Sequence, residues 1–159
     1  MAFPDIHPAL ARALASQGYE EPTPVQAAVL TEEAEGRDLL VSAQTGSGKT
    51  VAFGLAAGPT LLGEEQWFGQ PGPPLALAIA PTRELAMQVA RELSWLYGQA
   101  GAKVETCVGG MGPRREQRAL AAGCHILVGT PGRLKDHLER GNLDLGALRV
   151  LVLDEADEM

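Results

Sequence analysis

Short apolar runs alternate along the chain with longer helix-like stretches. Strands that are apolar throughout are typical of parallel sheets, because helices cover both faces of such a sheet. The pattern therefore predicts an α/β fold with a mostly parallel sheet and helices on both faces. The predicted strands lie near 38–42, 75–80, 103–108, 125–129 and 149–153, and the predicted helices near 8–17, 24–34, 49–62, 83–98, 113–122 and 132–139.

A segment rich in glycine and proline, GEEQWFGQPGPP at 63–74, interrupts this pattern and is predicted to be an exposed connection. Its Trp67 and Phe68 are large enough to contact a partner, but packing of the connection onto the domain is the favoured interpretation. The 159 residues are 45% hydrophobic, which is enough for one domain with one core.

The cysteines and histidines lack the spacing of a metal site. Cys107 and Cys124 lie far apart and are predicted to be reduced thiols, and no ligand pattern connects His7, His125 and His137. Because His125 opens a predicted strand, a packed or hydrogen-bonded imidazole is favoured over a ligand. We therefore expect no structural metal.

The first residues carry neither the basic nor the apolar stretch of a signal peptide, and no apolar run reaches the ~18 residues of a membrane span. We expect a cytoplasmic protein without a membrane partner. The net charge of −7 disfavours a nucleic-acid partner, although only weakly. Four acids lie in the last six residues, so the local field matters more than the total. The cations concentrate at Arg114, Arg115, Arg118, Arg133 and Lys135.

The strongest chemical signal follows the first predicted strand, where residues 43–50 read AQTGSGKT before a helix-like stretch. Gly46 and Gly48 let successive backbone N–H groups face phosphate oxygens, and the start of the helix adds partial positive charge. Lys49 would neutralise the β and γ phosphates, and the Thr50 hydroxyl would bind Mg²⁺, which prefers hard oxygen ligands. This order of strand, turn and helix predicts a nucleotide site; a glycine-rich turn without a ligand is the alternative.

A second signal is the apolar run 150–153, which is followed by Asp154 and Glu155. A buried parallel strand would deliver these carboxylates to the edge of the sheet where ligands of open α/β sheets bind. Asp154 would then hold Mg²⁺, and Glu155 would orient or deprotonate the attacking water. An acidic turn without function is the alternative.

The segment TPVQ at 23–26 fits two interpretations. It is a capping box with Thr23 as the N-cap, and capping alone explains its spacing. The Gln26 amide also offers one donor and one acceptor, which match N7 and the 6-amino group of adenine but not the equivalent edge of guanine. Gln26 would then select ATP over GTP.

Together these segments resemble DEAD-box RNA helicases. Six motifs of that family occur in the family's order, namely the Q motif at 18–26, motif I at 43–50, motif Ia at 81–86, the GG motif at 109–110, motif Ib at 130–133 and motif II, which reads DEAD, at 154–157. The resemblance extends from about Phe3 to the last residue. Ala43, where phosphate loops usually begin with glycine, also agrees with the family.

The resemblance implies ATP and Mg²⁺ as cofactors, and RNA as a partner bound through its backbone as a single strand or short duplex. It makes Lys49, Asp154 and Glu155 catalytic, with Thr50 and Asp154 as metal ligands. The implied nucleotide-binding residues are Phe3, Tyr19, Thr23, Gln26, Gln44, Thr45, Gly46, Ser47, Gly48, Lys49 and Thr50. The implied RNA-binding residues are Pro81, Thr82, Arg83, Gly109, Gly110, Thr130, Pro131, Gly132 and Arg133.

Thr82 and Thr130 are predicted N-caps, which would place helix N-termini beside Arg83 and Arg133. Backbone N–H groups at such termini can hold phosphates without reading the base sequence. Ordinary helix starts explain the same residues without function. The resemblance implies that they bind single-stranded RNA.

The resemblance also implies that residues 1–159 are the N-terminal RecA-like ATP-binding domain of a helicase, incomplete at its C-terminal end, with motif III and a second RecA-like domain beyond Met159. The motif III strand usually lies between the motif I and motif II strands. We therefore expect strand 149–153 to be unpaired, or paired with a neighbouring chain in a self-associated fragment, unless the protein is longer. The full-length protein is expected to be an RNA-dependent ATPase and the isolated chain to be inactive.

Two other classes of function remain as alternatives. One is a different P-loop motor, such as a DNA helicase or translocase, against which the Q motif and the DEAD residues argue. The other is a non-catalytic module that docks a partner protein. The RNA target and the biological pathway are not encoded in any motif of this sequence.

Overall fold

The computed structural model describes residues 7–18, 49–62, 67–109 and 112–154. These residues form α1 Pro8–Ser16, α2 Lys49–Leu62, β1 Ala76–Ile79, α3 Arg83–Gly98, β2 Val104–Cys107, α4 Pro113–Ala122, β3 Ile126–Gly129, α5 Pro131–Glu139 and β4 Val150–Leu153. Every predicted element within the described residues is confirmed, with each end within about one residue of its predicted position. The predicted strand 38–42 and helix 24–34 lie outside the described residues.

The four strands form one parallel sheet in the order β2-β3-β1-β4. In the central register, Leu77 of β1 lies opposite Leu127 of β3 and Leu151 of β4. The predicted parallel sheet is confirmed. Because all four strands run in the same direction, the segments that follow them meet at one edge, as the carboxyl ends of parallel strands do. The site described below lies at that edge.

Strand β4 is paired, which corrects the expectation that 149–153 would be unpaired. Arg149 N donates to Leu75 O at 2.7 Å at the start of the strand, and Asp154 N donates to Ile79 O at 2.8 Å at its end. The reason is that β1 offers β4 a complete parallel edge, so the strand does not depend on a neighbour on its other side. Among the described residues no strand adds to that other side. Pairing there with a neighbouring chain stays a prediction.

Alternate strand residues face opposite sides of the sheet and give the domain two apolar layers. On one side, strand residues pack with helices α1, α2 and α3; they are Ala76, Ala78, Ile126, Val128, Val150 and Val152. On the other side, Leu77 and Leu127 pack with Cys107, with Leu134 of α5 and with Leu143. The predicted covering of both faces by helices is therefore confirmed.

Helix α2 approaches α3 closely at Gly54. A Cβ atom on Gly54 would lie 2.5 Å from Leu96 Cδ2, so no larger residue fits without movement of the core. The Tyr97 hydroxyl donates a hydrogen bond to the Gly54 carbonyl oxygen at 2.5 Å. This contact fixes α2, the helix that begins at Lys49, against the rest of the domain.

The connection before β1 is attached to the sheet by His125. Lys103 N donates to His125 Nδ1 at 2.9 Å, so Nε2 carries the proton and donates to Gly69 O at 2.8 Å. The Phe68 ring stacks on the imidazole with centroids 4.8 Å apart. The prediction of a hydrogen-bonded His125 is thus confirmed, as is the packing of Phe68. Trp67 is exposed, with the Arg12 guanidinium 5.9 Å from its ring centroid.

Candidate functional site

The helix that begins at Lys49, at the end of the predicted phosphate loop, is in contact with the strand that ends just before Asp154. Thr50, in the first turn of α2, is buried, and Asp154, directly after β4, is 5% exposed. Helix α2 packs against β4, and the Asp154 backbone N–H is fixed by Ile79 O of β1 at 2.8 Å. The approach of the Thr50 hydroxyl to the Asp154 carboxylate stays a prediction, as does the placement of the Lys49 side chain.

Many of the predicted nucleotide-site residues fall outside the described residues, and their roles stay predictions. They are Phe3, Tyr19, Thr23, Gln26, Gln44, Thr45, Gly46, Ser47, Gly48 and Glu155. Gly110, the second glycine of the predicted GG motif, is also outside. The described part of the site therefore consists of Asp154, the start of α2 and most of the predicted RNA track. By RNA track we mean the implied RNA-binding residues of motifs Ia, GG and Ib.

Motif Ia has the predicted helix cap. Thr82 has extended backbone angles, and its Oγ1 accepts a hydrogen bond from Leu85 N at 3.2 Å. Thr82 and Arg83 are exposed where α3 begins, directly after β1. The remaining N–H groups of that first turn and the Arg83 guanidinium are suited to a phosphate at this edge of the sheet.

Motif Ib also begins a helix, with a difference from the predicted cap. Thr130 occupies the N-cap position of α5 with extended backbone angles, but its hydroxyl makes no capping hydrogen bond. Its backbone N–H donates to Cys107 O at 3.1 Å, which ties the helix start to the end of β2. Pro131 and Gly132 are exposed at the first turn. The backbone, rather than the threonine hydroxyl, sets this helix start.

Glu116 joins the predicted GG and motif Ib segments, although it belongs to neither. Its side chain is only 2% exposed in the first turn of α4. Oε2 accepts from the backbone N–H of Val108 at 3.0 Å and of Gly109 at 3.4 Å. Oε1 accepts from Arg133 Nη1 at 3.2 Å and from His137 Nε2 at 2.9 Å. One carboxylate therefore connects the loop after β2 with helix α5.

Gly109 and Arg133 are in direct contact within this cluster. Gly109 has φ of +77°, in the left-handed region that favours glycine. A Cβ atom on Gly109 would lie 3.4 Å from Arg133 Nη2, so the guanidinium lies against the glycine backbone. The predicted GG and Ib contributions to RNA binding are thus one structural unit rather than two.

The same cluster contains three potential metal ligands, since ligand atoms of Cys107, Glu116 and His137 lie within 4.8 Å of one another. Both Glu116 oxygens already accept two hydrogen bonds each, and the Arg133 cation is 3.2 Å from Oε1. His137 Nδ1 accepts from Asn142 Nδ2 at 3.1 Å. Burial raises the pKa of the Cys107 thiol to about 12, and the Glu116 charge adds to that rise. A hydrogen-bonded cluster accounts for these groups better than a metal site.

The sequence contains one signal for Glu116. It is the single acid of α4, whose surface carries Arg114, Arg115 and Arg118, and it lies in the first turn where the helix dipole favours a carboxylate. The three arginines are exposed, as a charged helix face in solvent would be. No helix in the described part of the chain is long and apolar enough to cross a membrane.

Comparisons with known proteins agree on one family. A family model described as DEAD/DEAH box helicase matches residues 23–159. A probable ATP-dependent RNA helicase, vasa-like, from Penaeus vannamei is 42% identical over 158 residues, covering 98% of this chain and 22% of the relative. The ATP-dependent RNA helicase DeaD from Klebsiella pneumoniae is 49% identical over 148 residues, covering 92% of this chain and 22% of the relative.

The fold comparison gives the same result. The crystal structure of the yeast DEAD-box splicing factor Prp28 matches with a TM-score of 0.83 and 35% identity, covering 97% of this chain and 37% of that one. The predicted RecA-like architecture is therefore confirmed, and the chain spans about a fifth of the length of the two curated relatives. With the family model covering residues 23–159, this chain belongs to the DEAD/DEAH box helicase family.

Proposed function

We propose that the chain is the N-terminal ATP-binding domain of an ATP-dependent RNA helicase, whose second RecA-like domain lies beyond these 159 residues. One observation carries the proposal. The four parallel strands end at one edge of a single sheet, each directly before a segment that resembles motif Ia, GG, Ib or II. A nucleotide site and an RNA track side by side are what a motor needs in order to couple hydrolysis to strand separation.

The nucleotide part of the proposal rests on the donor chemistry of the buried residues. The Thr50 hydroxyl and the Asp154 carboxylate are hard oxygen donors on elements in contact, which is the donor type that Mg²⁺ requires. In the proposal these two residues hold Mg²⁺, and Lys49 neutralises the terminal phosphates of ATP. When bound, the metal neutralises charge that develops on the phosphates.

The proposal assigns water activation and base selection to residues outside the described part of the chain. Glu155 would accept or orient a proton of the attacking water, since it directly follows Asp154 in the sequence. Gln26 would pair with adenine, and Phe3 would stack on it. Groups that act in the transition state on the far side of the phosphates would come from the second domain.

The RNA part of the proposal rests on two helix starts and two arginines. Thr82 with Arg83 begins α3, and Thr130 with Arg133 begins α5, both at the carboxyl edge of the sheet. Helix N-termini and guanidinium groups contact phosphates and carry no base readout. We infer a sequence-independent grip on the RNA backbone. A cytoplasmic location is part of the proposal, because both thiols are free and buried, as in a reducing compartment.

A nucleotide titration tests the ATP site directly. Calorimetry of the chain with ATP and Mg²⁺, in the absence of RNA, should give a binding signal that Lys49→Ala abolishes or weakens by at least about tenfold. Lys135→Ala removes an exposed lysine elsewhere and should leave the signal unchanged. Equal binding by wild type and Lys49→Ala would mean that the phosphate loop is unused, which would favour the interaction-module alternative.

A further inference from the structure

The burial of Glu116 calls for an explanation beyond fold stability. Removing a carboxylate from water costs several kcal/mol unless donors and countercharge compensate for it. Here the compensation is complete, because each oxygen accepts two hydrogen bonds. Two of the four donors are the Gly109 amide and the Arg133 guanidinium, which belong to residues that the family resemblance implies for RNA binding. The Glu116 carboxylate therefore orders the two groups that would contact RNA, the Gly109 amide and the Arg133 guanidinium.

Glu116 restricts both groups without using up the arginine. A guanidinium has five N–H donors, and one hydrogen bond to Glu116 leaves the others for a second anion. The Arg133 side chain is 21% exposed, so part of it faces solvent. A free arginine side chain samples many rotamers, and a phosphate contact would otherwise have to overcome the loss of that freedom. With Gly109 behind it and Glu116 beside it, the guanidinium is already held.

We propose that Glu116 is a positioning residue of the RNA-backbone site, which holds Arg133 against Gly109 in the arrangement that binds a phosphate. The inference rests on the proposed function, in which Gly109 and Arg133 contact RNA. His137 supports the same carboxylate oxygen at 2.9 Å and is wholly buried, so it belongs to the packing of the cluster and not to the RNA surface.

A positioning role and a purely electrostatic role for Glu116 predict opposite changes in RNA affinity for Glu116→Gln. If Glu116 contributes only its negative charge, then Glu116→Gln removes repulsion from the RNA phosphates and strengthens binding. If Glu116 positions Arg133, the same substitution weakens binding, because a glutamine amide accepts through one oxygen and loses the charge that holds the guanidinium. The direction of the change therefore separates the two explanations.

The experiment measures the affinity of the two-domain protein for a fluorescent oligouridylate in the presence of a non-hydrolysable ATP analogue. We expect Glu116→Gln to weaken binding by about three- to tenfold and Arg133→Ala by about tenfold, with the double variant no weaker than Arg133→Ala alone. Glu139→Gln removes the same charge from the exposed face of α5 and should leave affinity equal or slightly higher. Thermal melting of each variant shows whether it is folded.

Each result has one meaning. Unchanged or tighter binding by folded Glu116→Gln overturns the positioning role, as do losses that add in the double variant. Unchanged binding by Arg133→Ala instead overturns the proposed RNA track itself. If Glu116→Gln does not fold, Arg133→Lys decides: it keeps the charge but not the fixed fork of donors, so wild-type affinity in that variant contradicts positioning.

Discussion

The two thiols illustrate how strongly single residues depend on their surroundings. Burial raises the pKa of the Cys107 thiol to about 12 and that of Cys124 to about 11. For Cys107 the nearby Glu116 carboxylate raises the pKa further. Both groups are therefore held in the protonated form, which is a poor nucleophile, at neutral pH.

We predict that the two thiols of the folded protein react slowly with thiol reagents, and that the free energy of unfolding decreases in alkali. The pKa values of Cys107 and Cys124 in the folded protein are about 12 and 11, against 9.0 for an ordinary thiol. The stabilisation that the two protonated thiols give the folded protein is therefore complete below pH 9. It is lost as the pH rises from there towards the folded values, because the unfolded thiols release their protons first. Labelling with a chromogenic disulfide at pH 8 should be slow for the native protein and fast in denaturant. Rapid labelling of both cysteines in the folded protein would contradict this.

Residue chemistry was predictable from sequence only where a motif fixed it. Thr82 and Thr130 follow predicted strands and precede predicted helices, so their positions at helix starts followed from the pattern. Glu116 was not predictable in the same way. A glutamate among exposed arginines resembles a solvated residue, and its burial depends on Val108 and His137, which only the tertiary fold brings to it.

At the scale of elements, the contact between α2 and α3 determines where the phosphate-loop helix sits. Gly54 lets the helices approach until Leu96 and Tyr97 touch its backbone. Leu96 and Tyr97 are almost completely buried, so neither can move aside without disturbing the core. Glycine is a poor helix residue, and its place in α2 is explained by this approach rather than by propensity.

A pair of glycine substitutions tests that contact. Gly54→Ala should lower the free energy of unfolding by ~1–3 kcal/mol, because overpacking outweighs the gain in helix propensity. Gly98→Ala is the matched control: it lies at the end of α3 with nothing within 4 Å of an added Cβ, and it should be neutral or slightly stabilising. The measurement is denaturant unfolding of both variants. A Gly54→Ala protein as stable as Gly98→Ala would refute the close approach.

The elements themselves were largely predictable because each is a short apolar run or a capped helix. The strand 126–129 is buried throughout and the strand 76–79 nearly so, which is why their apolar runs were distinct. The pairing of β4 was not predictable from sequence. A local pattern shows that 150–153 is a strand, but its partner β1 is about seventy residues away in sequence, and the register is set by the tertiary packing.

At the scale of the whole molecule, the parallel sheet turns a linear series of motifs into one surface. The carboxyl ends of β1, β2, β3 and β4 share an edge, so the described residues that directly follow these strands lie at the same edge of the sheet. Within β4, Leu151 is 56% and Leu153 is 47% exposed. Their exposure leaves apolar surface on one face of the outermost described strand.

The charge distribution also makes sense at this scale. The net charge of −7 is a weak argument against the proposed RNA track, because Arg83 and Arg133 place cations locally at its described part. A site that neutralises few phosphates would show a shallow salt dependence. The proposed function therefore expects binding through the RNA backbone, with little base preference.

The most direct test of the central claim is ATP hydrolysis by the two-domain protein with and without nucleic acid. We expect that single-stranded RNA accelerates hydrolysis by at least about tenfold, that DNA of the same sequence does so far less, and that Lys49→Ala or Asp154→Asn lowers the stimulated rate by about 100-fold or more. Hydrolysis that ignores RNA, that responds equally to DNA, or that persists in both variants would contradict it.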